Sequence, residues 1–207
     1  MSKLLKIIAA ALAALLASAL PIGAAAAGWA TATMPAASLS IAPLEAQPPG
    51  EYQCAALILM EPESGQIIFE KNADARREVA SITKIMSILL TIEALEDGRI
   101  ALTDDVAVSK NAAGMGGSQA LLDVGEVQTV GTLLKCAIVA SANDATVALA
   151  EHIAGSVPIF VDRMNERAGQ LGMADTHFVN TTGLPAEGQY TTARDVARMA
   201  MALVGHE

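Results

Sequence analysis

The stretch that most limits how this chain can fold runs from Ser81 to Gly98, SITKIMSILLTIEALEDG. From Ile82 onward, Ile85, Met86, Leu89, Ile92 and Leu95 recur at helical spacing, and Gly98 supplies a stop just beyond. A helix with one apolar stripe needs other elements to cover it, so a packed body must form around this one. Lys84 is the odd member, a cation at the front of an otherwise apolar segment. Positions i and i+3 share a helix face, which makes Ser81 and Lys84 side-chain neighbours about 5–6 Å apart at Cβ. That spacing permits a hydroxyl and its base to meet. It equally describes a capping serine followed by a lysine whose stem lies on apolar surface and whose head reaches water.

Around this helix the chain reads as a hairpin followed by a mostly helical body. AALILM (55–60), the turn residues Glu61-Pro62-Glu63-Ser64-Gly65 and QIIFE (66–70) predict two antiparallel strands. The middle section is turn-rich, with short apolar pieces at Val106–Val108 and Ala120–Leu122. Helical runs follow over about 130–140 and 145–153, with Asp144 placed to cap the second and Gly155 to end it. Residues 158–171 are amphipathic and stop at Gly172, and Thr192-Ala193-Arg194-Asp195 has the form of a capping box opening a last helix to about Val204. Two strands alone do not make a stable sheet, and no later strand is predicted to complete it. The chain stops at Glu207, in the last turn of a helix.

The amino terminus is a different kind of sequence. Lys3 and Lys6 precede an apolar run from Ile7 to Leu20, then Pro21 and small residues ending Ala25-Ala26-Ala27. A charged start, a limited apolar stretch and an A-x-A-like end describe a secretory signal peptide over 1–27, with Ala30-Thr31-Ala32 as a second cleavage candidate. Residues 28–50, rich in Ala, Ser and Pro without a sustained period, read as a linker, leaving 51–207 as the folded domain. Removing the leader takes two lysines and no acid, so 11 basic against 22 acidic residues carry the net charge from −9 to −11. An acidic exported protein has no electrostatic footprint for nucleic acid. Cys54 and Cys136 suit either a disulfide or two buried free thiols, and they lack metal spacing.

Among chemistry-bearing residues, S-x-x-K is weak by itself: 11 serines and 6 lysines in 207 positions make roughly 0.3 chance matches. Its position strengthens it. Free N–H groups and the helix dipole at a helix start favour negative charge developing on an attacking serine oxygen. A lysine acting as base must be neutral when it acts, which calls for a desolvated site, here expected from Ile82, Ile85 and Met86. The second candidate is Ser141-Ala142-Asn143, where a hydroxyl could relay a proton and an amide could hold the lysine or a substrate carbonyl. An ordinary helix-to-helix turn uses the same residue types. His152, His177 and His206 share no metal spacing, and no G-x-S-x-G marks a serine–histidine triad.

The two motifs, in this order and in these surroundings, resemble the D-alanyl-D-alanine carboxypeptidases of the low-molecular-mass penicillin-binding protein family. The matching stretches are AALILMEPESGQIIFEKNADARREVASITKIM, GSQALLDVGEVQTVGTLLKCAIVASANDATVALAEHIAGS and HFVNTTGLPAEGQYTTARDVARMA, which cover most of residues 54–204. The resemblance implies an α+β (α/β sandwich) architecture, the β-lactamase/DD-peptidase or transpeptidase-like fold, with an antiparallel sheet and a helical subdomain. It implies Ser81 as the nucleophile that forms an acyl-enzyme on a peptidoglycan stem peptide ending in D-Ala-D-Ala, and Lys84 as its base. Ser141 would shuttle a proton, and Asn143 would hold Lys84 and the substrate amide. The backbone N–H of Ser81 would be half of the oxyanion hole. β-Lactam antibiotics would trap Ser81, and no cofactor or metal is implied.

One family feature is missing. K-T-G, whose lysine and threonine bind the substrate carboxylate in the family, occurs nowhere in these residues. The chain is therefore read as an amino-terminal portion of such an enzyme, incomplete at its carboxy terminus, with a membrane anchor beyond it left open. Two rivals stand beside this reading. A class A β-lactamase would carry S-D-N and a glutamate for the deacylating water, whereas here the motif is S-A-N and Glu166 lies in MNERAGQL without matching context. A non-catalytic envelope protein would keep the fold and bind peptidoglycan.

Overall fold

The computed structural model describes residues 52–206; the expected signal peptide and linker lie outside the described residues. Strands β1 (Leu57–Met60) and β2 (Ile67–Lys71) pair antiparallel, Leu57 opposite Lys71 and Leu59 opposite Phe69. The turn between them is held by the Glu61 carboxylate, which accepts from the backbone N–H groups of Glu63 and Ser64 and from the Ser64 hydroxyl. Among the described residues no later strand joins this sheet, but a second pair that the sequence reading did not assign forms apart from it: β3 (Asp105–Ala107) and β4 (Val127–Thr129) make a separate two-stranded ribbon. Its inward residues, Val106 and then Val108 just beyond, are buried while Asp105 and Ala107 face out, the period-two pattern of a half-buried strand. With two small antiparallel sheets and a larger helical body, the architecture is α+β.

Ser81–Thr83 form one 3₁₀ turn, and helix α1 (Lys84–Glu96) continues from it. Helix α2 (Lys110–Ala113) is a single turn capped by Ser109. Helix α3 (Val130–Val139) starts on Thr129, whose hydroxyl accepts from Thr132 N–H. Helix α4 (Asn143–Ala154) begins two residues earlier than the sequence suggests, with Ala142 at its cap and Asp144 inside its first turn; Gly155 ends it at φ +81°. Ser156 caps α5 (Val157–Gln170), and Thr192 caps α6 (Ala193–Val204) by accepting from Asp195 N–H at 3.1 Å. The Asp195 carboxylate, which a full capping box would turn back on the cap, instead accepts from Asp175 N–H and the Thr176 hydroxyl.

Helix α1 packs on α3, α4, α5 and α6 and serves two cores at once. Its Ala94 joins Val106, Val130, Leu133, Leu134 and Ala148, while Met86, Leu89 and Leu90 join Phe160, Met164, Phe178 and Met199. The buried face is consequently wider than one apolar stripe and takes in Lys84, Ser87 and Thr91. Each polar member has a partner: Thr91 bonds back to Ser87 O at 2.8 Å, and Ser87 donates to Thr181 O at 2.8 Å. At the outer edge Arg194 bridges Asp74 at 2.6 Å and Glu70 at 2.7 Å, joining the β2 end to the start of α6. Backbone bonds between Arg77 and Thr191 run alongside it and seat the segment leading to Ser81.

Candidate active site

The 3₁₀ turn leaves the Ser81 side chain exposed and Lys84, three residues on, buried at 3% exposure. Lys84 Nζ donates to Ser81 Oγ at 3.0 Å and to the Thr182 carbonyl at 2.9 Å. Burial alone pushes the Lys84 ammonium down from 10.5 to about 8. Desolvation disfavours the charged form, and two neutral acceptors compensate only part of the lost hydration. The expected source of this desolvation is only partly right. Met86 is buried, but Ile82 is 45% exposed, because the 3₁₀ turn swings it outward. The loop Asn180–Leu184, NTTGL, a segment legible in the sequence only as a loop, closes on the amine through Thr182.

That loop presents two successive carbonyls to α1, Thr181 O to Ser87 and Thr182 O to Lys84. Asn180 Oδ1 accepts from Thr182 N–H at 3.1 Å and Gly183 N–H at 2.7 Å, while its Nδ2 donates to Leu184 O at 2.8 Å. Gln189 Oε1 accepts from the N–H groups of Val179 and Asn180, supporting the loop from behind. Gly183 has φ +83°, and a Cβ there would lie 1.9 Å from Ala80 O, so only glycine lets the loop dock against the residue before Ser81. Ninety-eight residues separate Thr182 from Lys84, and no spacing rule links them. The available hint was composition: Asn180, a Thr pair and glycine in four positions suit a side-chain-stabilised turn.

Ser141 and Asn143 lie at the break between α3 and α4. Ser141 adopts φ +54°, an uncommon conformation for a residue with a Cβ, and is partly exposed. Asn143 is 3% exposed; its backbone N–H donates to Ser118 O at 2.7 Å and its Nδ2 to Gly116 O at 2.7 Å. Its Oδ1 is buried without a hydrogen-bond partner among the described residues. Neither residue bonds directly to Ser81 or Lys84. The link is Gly117, where a Cβ would meet Asn143 Nδ2 at 2.8 Å and Leu184 Cδ2 at 3.6 Å. Asn143 and the Lys84-holding loop therefore face each other across a glycine too small to separate them.

An exposed hydroxyl hydrogen-bonded to a desolvated amine is the arrangement of an activated nucleophile and its base, and a free helix start beneath it suits an oxyanion. The comparisons point the same way. The family model described as D-alanyl-D-alanine carboxypeptidase matches residues 42–207. D-alanyl-D-alanine carboxypeptidase DacF of Bacillus subtilis is 46% identical over 156 residues, which cover 75% of this chain and 40% of that protein. The crystal structure of D-alanyl-D-alanine carboxypeptidase DacD from Francisella tularensis is 41% identical with a TM-score of 0.72, covering 73% of this chain and 37% of that one. Penicillin binding protein 6B from Escherichia coli is 37% identical with a TM-score of 0.75, covering 80% and 54%. The chain thus spans about two fifths to one half of the length of these relatives. With the family model matching four fifths of its residues, the chain belongs to the D-alanyl-D-alanine carboxypeptidase family.

Proposed function

We propose that the protein carrying these residues is a serine-type D-alanyl-D-alanine carboxypeptidase acting on peptidoglycan stem peptides. Ser81 Oγ attacks the carbonyl carbon of the penultimate D-alanine while Lys84, neutral, takes the hydroxyl proton. The peptide C–N bond then breaks, the proton passes to the departing nitrogen through Lys84 and Ser141, and free D-alanine leaves. Water hydrolyses the Ser81 ester and restores the hydroxyl. Asn143 holds the substrate amide beside this pair. The observation that carries the reading is the 3.0 Å contact between Ser81 Oγ and a lysine whose burial brings its amine to about 8. The substrate carboxylate would be bound by a K-T-G lysine and threonine, as in the family; these residues contain no such motif. In the same reading residues 1–27 export the protein to the cell envelope, 28–50 link the leader to the domain, and β-lactams acylate Ser81.

The test is covalent labelling of the full-length gene product with a fluorescent penicillin, followed by peptide mapping. One label per molecule on the Ser81 peptide, absent in Ser81→Ala, is expected. An unlabelled full-length protein, or equal labelling of Ser81→Ala, would overturn the assignment.

A further inference from the structure

Asp144 is the most buried carboxylate near the site, at 1% exposure, and the hydrogen bonds it accepts come from backbone N–H groups alone. Its Oδ1 accepts from Ala120 at 2.9 Å and Ala145 at 2.8 Å, and its Oδ2 from Leu122 at 3.1 Å. The first and last of these flank Leu121, which sits at φ +61° with its side chain 80% exposed. A branched side chain gains nothing from that backbone conformation or that exposure, so the strain persists because the two N–H groups on either side are pinned. Asn143 pins the same loop by its acceptors, Gly116 O and Ser118 O. Four alternate residues, 116, 118, 120 and 122, are thereby tied to two consecutive residues of α4.

The consequence falls on Asn143. An amide side chain is nearly symmetric in shape, and its orientation is decided by its partners. Gly116 O, held in place by the pinned loop, claims the Nδ2 end and leaves Oδ1 as a buried acceptor without a partner. We propose that Asp144 is a positioning residue for the serine–lysine site: by clamping the 116–122 loop it fixes Asn143 with Oδ1 toward the site, as an acceptor for an N–H of the substrate. This rests on the acyl-transfer reading above. Asp144 touches neither Ser81 nor Lys84, so it sets the geometry of the transfer without altering the base.

Asp144→Asn tests this in the full-length protein. The new amide presents N–H to backbone donors on one side or the other, so the loop must shift. Acylation by a fluorescent penicillin is measured from pH 6 to 10, normalised to the labelled fraction. The expected result is a plateau rate about 10- to 100-fold lower, the cost of misplacing one contact group, with the midpoint of the pH profile still near 8. Gly117→Ala, which drives a methyl against Asn143 Nδ2, is expected to give the same phenotype and supplies the test if Asp144→Asn fails to fold. A normalised rate within twofold of wild type in whichever variants fold overturns the proposal. So does a midpoint moving up toward 10.5, which would mean that the whole site had opened to water. If the wild type itself takes no label, the acyl-transfer reading falls and this inference with it; a labelled wild type with indifferent variants removes this inference alone.

Discussion

If Lys84 is the base, the rate of acylation should follow the neutral fraction of its amine. With a midpoint near 8 rather than the usual 10.5, that fraction at pH 7 is about one in ten instead of about one in three thousand, a gain of about 300-fold from burial alone. Between pH 6 and 9 the second-order rate of acylation should therefore rise about 90-fold, steeply to pH 8 and then level. The assay is stopped-flow capture of a fluorescent penicillin by the full-length protein over this range. A rate that keeps climbing tenfold per pH unit through pH 9 would mean an ordinary solvated lysine, and a flat profile would mean that Lys84 is not the base. The same displacement has a stability signature. The folded state holds its proton less tightly than the unfolded chain, so below pH 8 Lys84 destabilises the fold by about 3 kcal/mol, and that penalty fades as pH rises to 10.5. Replacing Lys84 with methionine should remove the penalty while leaving Thr182 O unpaired at about 1 kcal/mol, for a net gain of about 2 kcal/mol at pH 7 that turns into a net loss of up to about 1 kcal/mol near pH 10.5. Denaturant melts of Lys84→Met at the two pH values check this, and a variant less stable at both would refute the account of a desolvated cation.

Gly183→Ala should cost at least about 1–2 kcal/mol from the left-handed backbone, with more from the approach to Ala80 O, and should slow acylation by lifting Thr182 O from Lys84. A thermal melt paired with the penicillin assay reads both, and a variant with wild-type acylation would show that the loop does not hold the lysine. Leu89→Ala, at a fully buried position between Phe160, Met164 and Met199, should lower stability by about 2–5 kcal/mol in a denaturant titration while leaving the normalised acylation rate near wild type.

Much of this was legible along the chain wherever the physics is local. Ser81 and Lys84 meet because one helical or 3₁₀ turn returns the chain to the same face, whatever surrounds it. Thr192 caps its helix through the N–H three residues on, and Gly155 ends α4 because a positive φ is cheap there. The β1–β2 hairpin followed from two short apolar runs around a cluster of turn residues. The misses have a common cause. Ile82 was assigned to the desolvating wall and points outward, Asp144 was assigned to a cap and clamps a loop, and β3–β4 joins segments 20 residues apart that look like isolated apolar scraps.

What the sequence determined by itself, then, was the identity of a hydroxyl and an amine able to touch and the succession of elements that carries them. The tertiary structure alone decided that the amine is dry and what else faces it. Desolvation depends on every atom within a few ångströms, and those atoms include the Thr182 carbonyl, about a hundred residues downstream, in a loop held by Asn180 and Gln189. A lysine becomes a base near neutral pH only when such distant segments exclude water from it, and no spacing within the Ser81–Gly98 stretch encodes that contact.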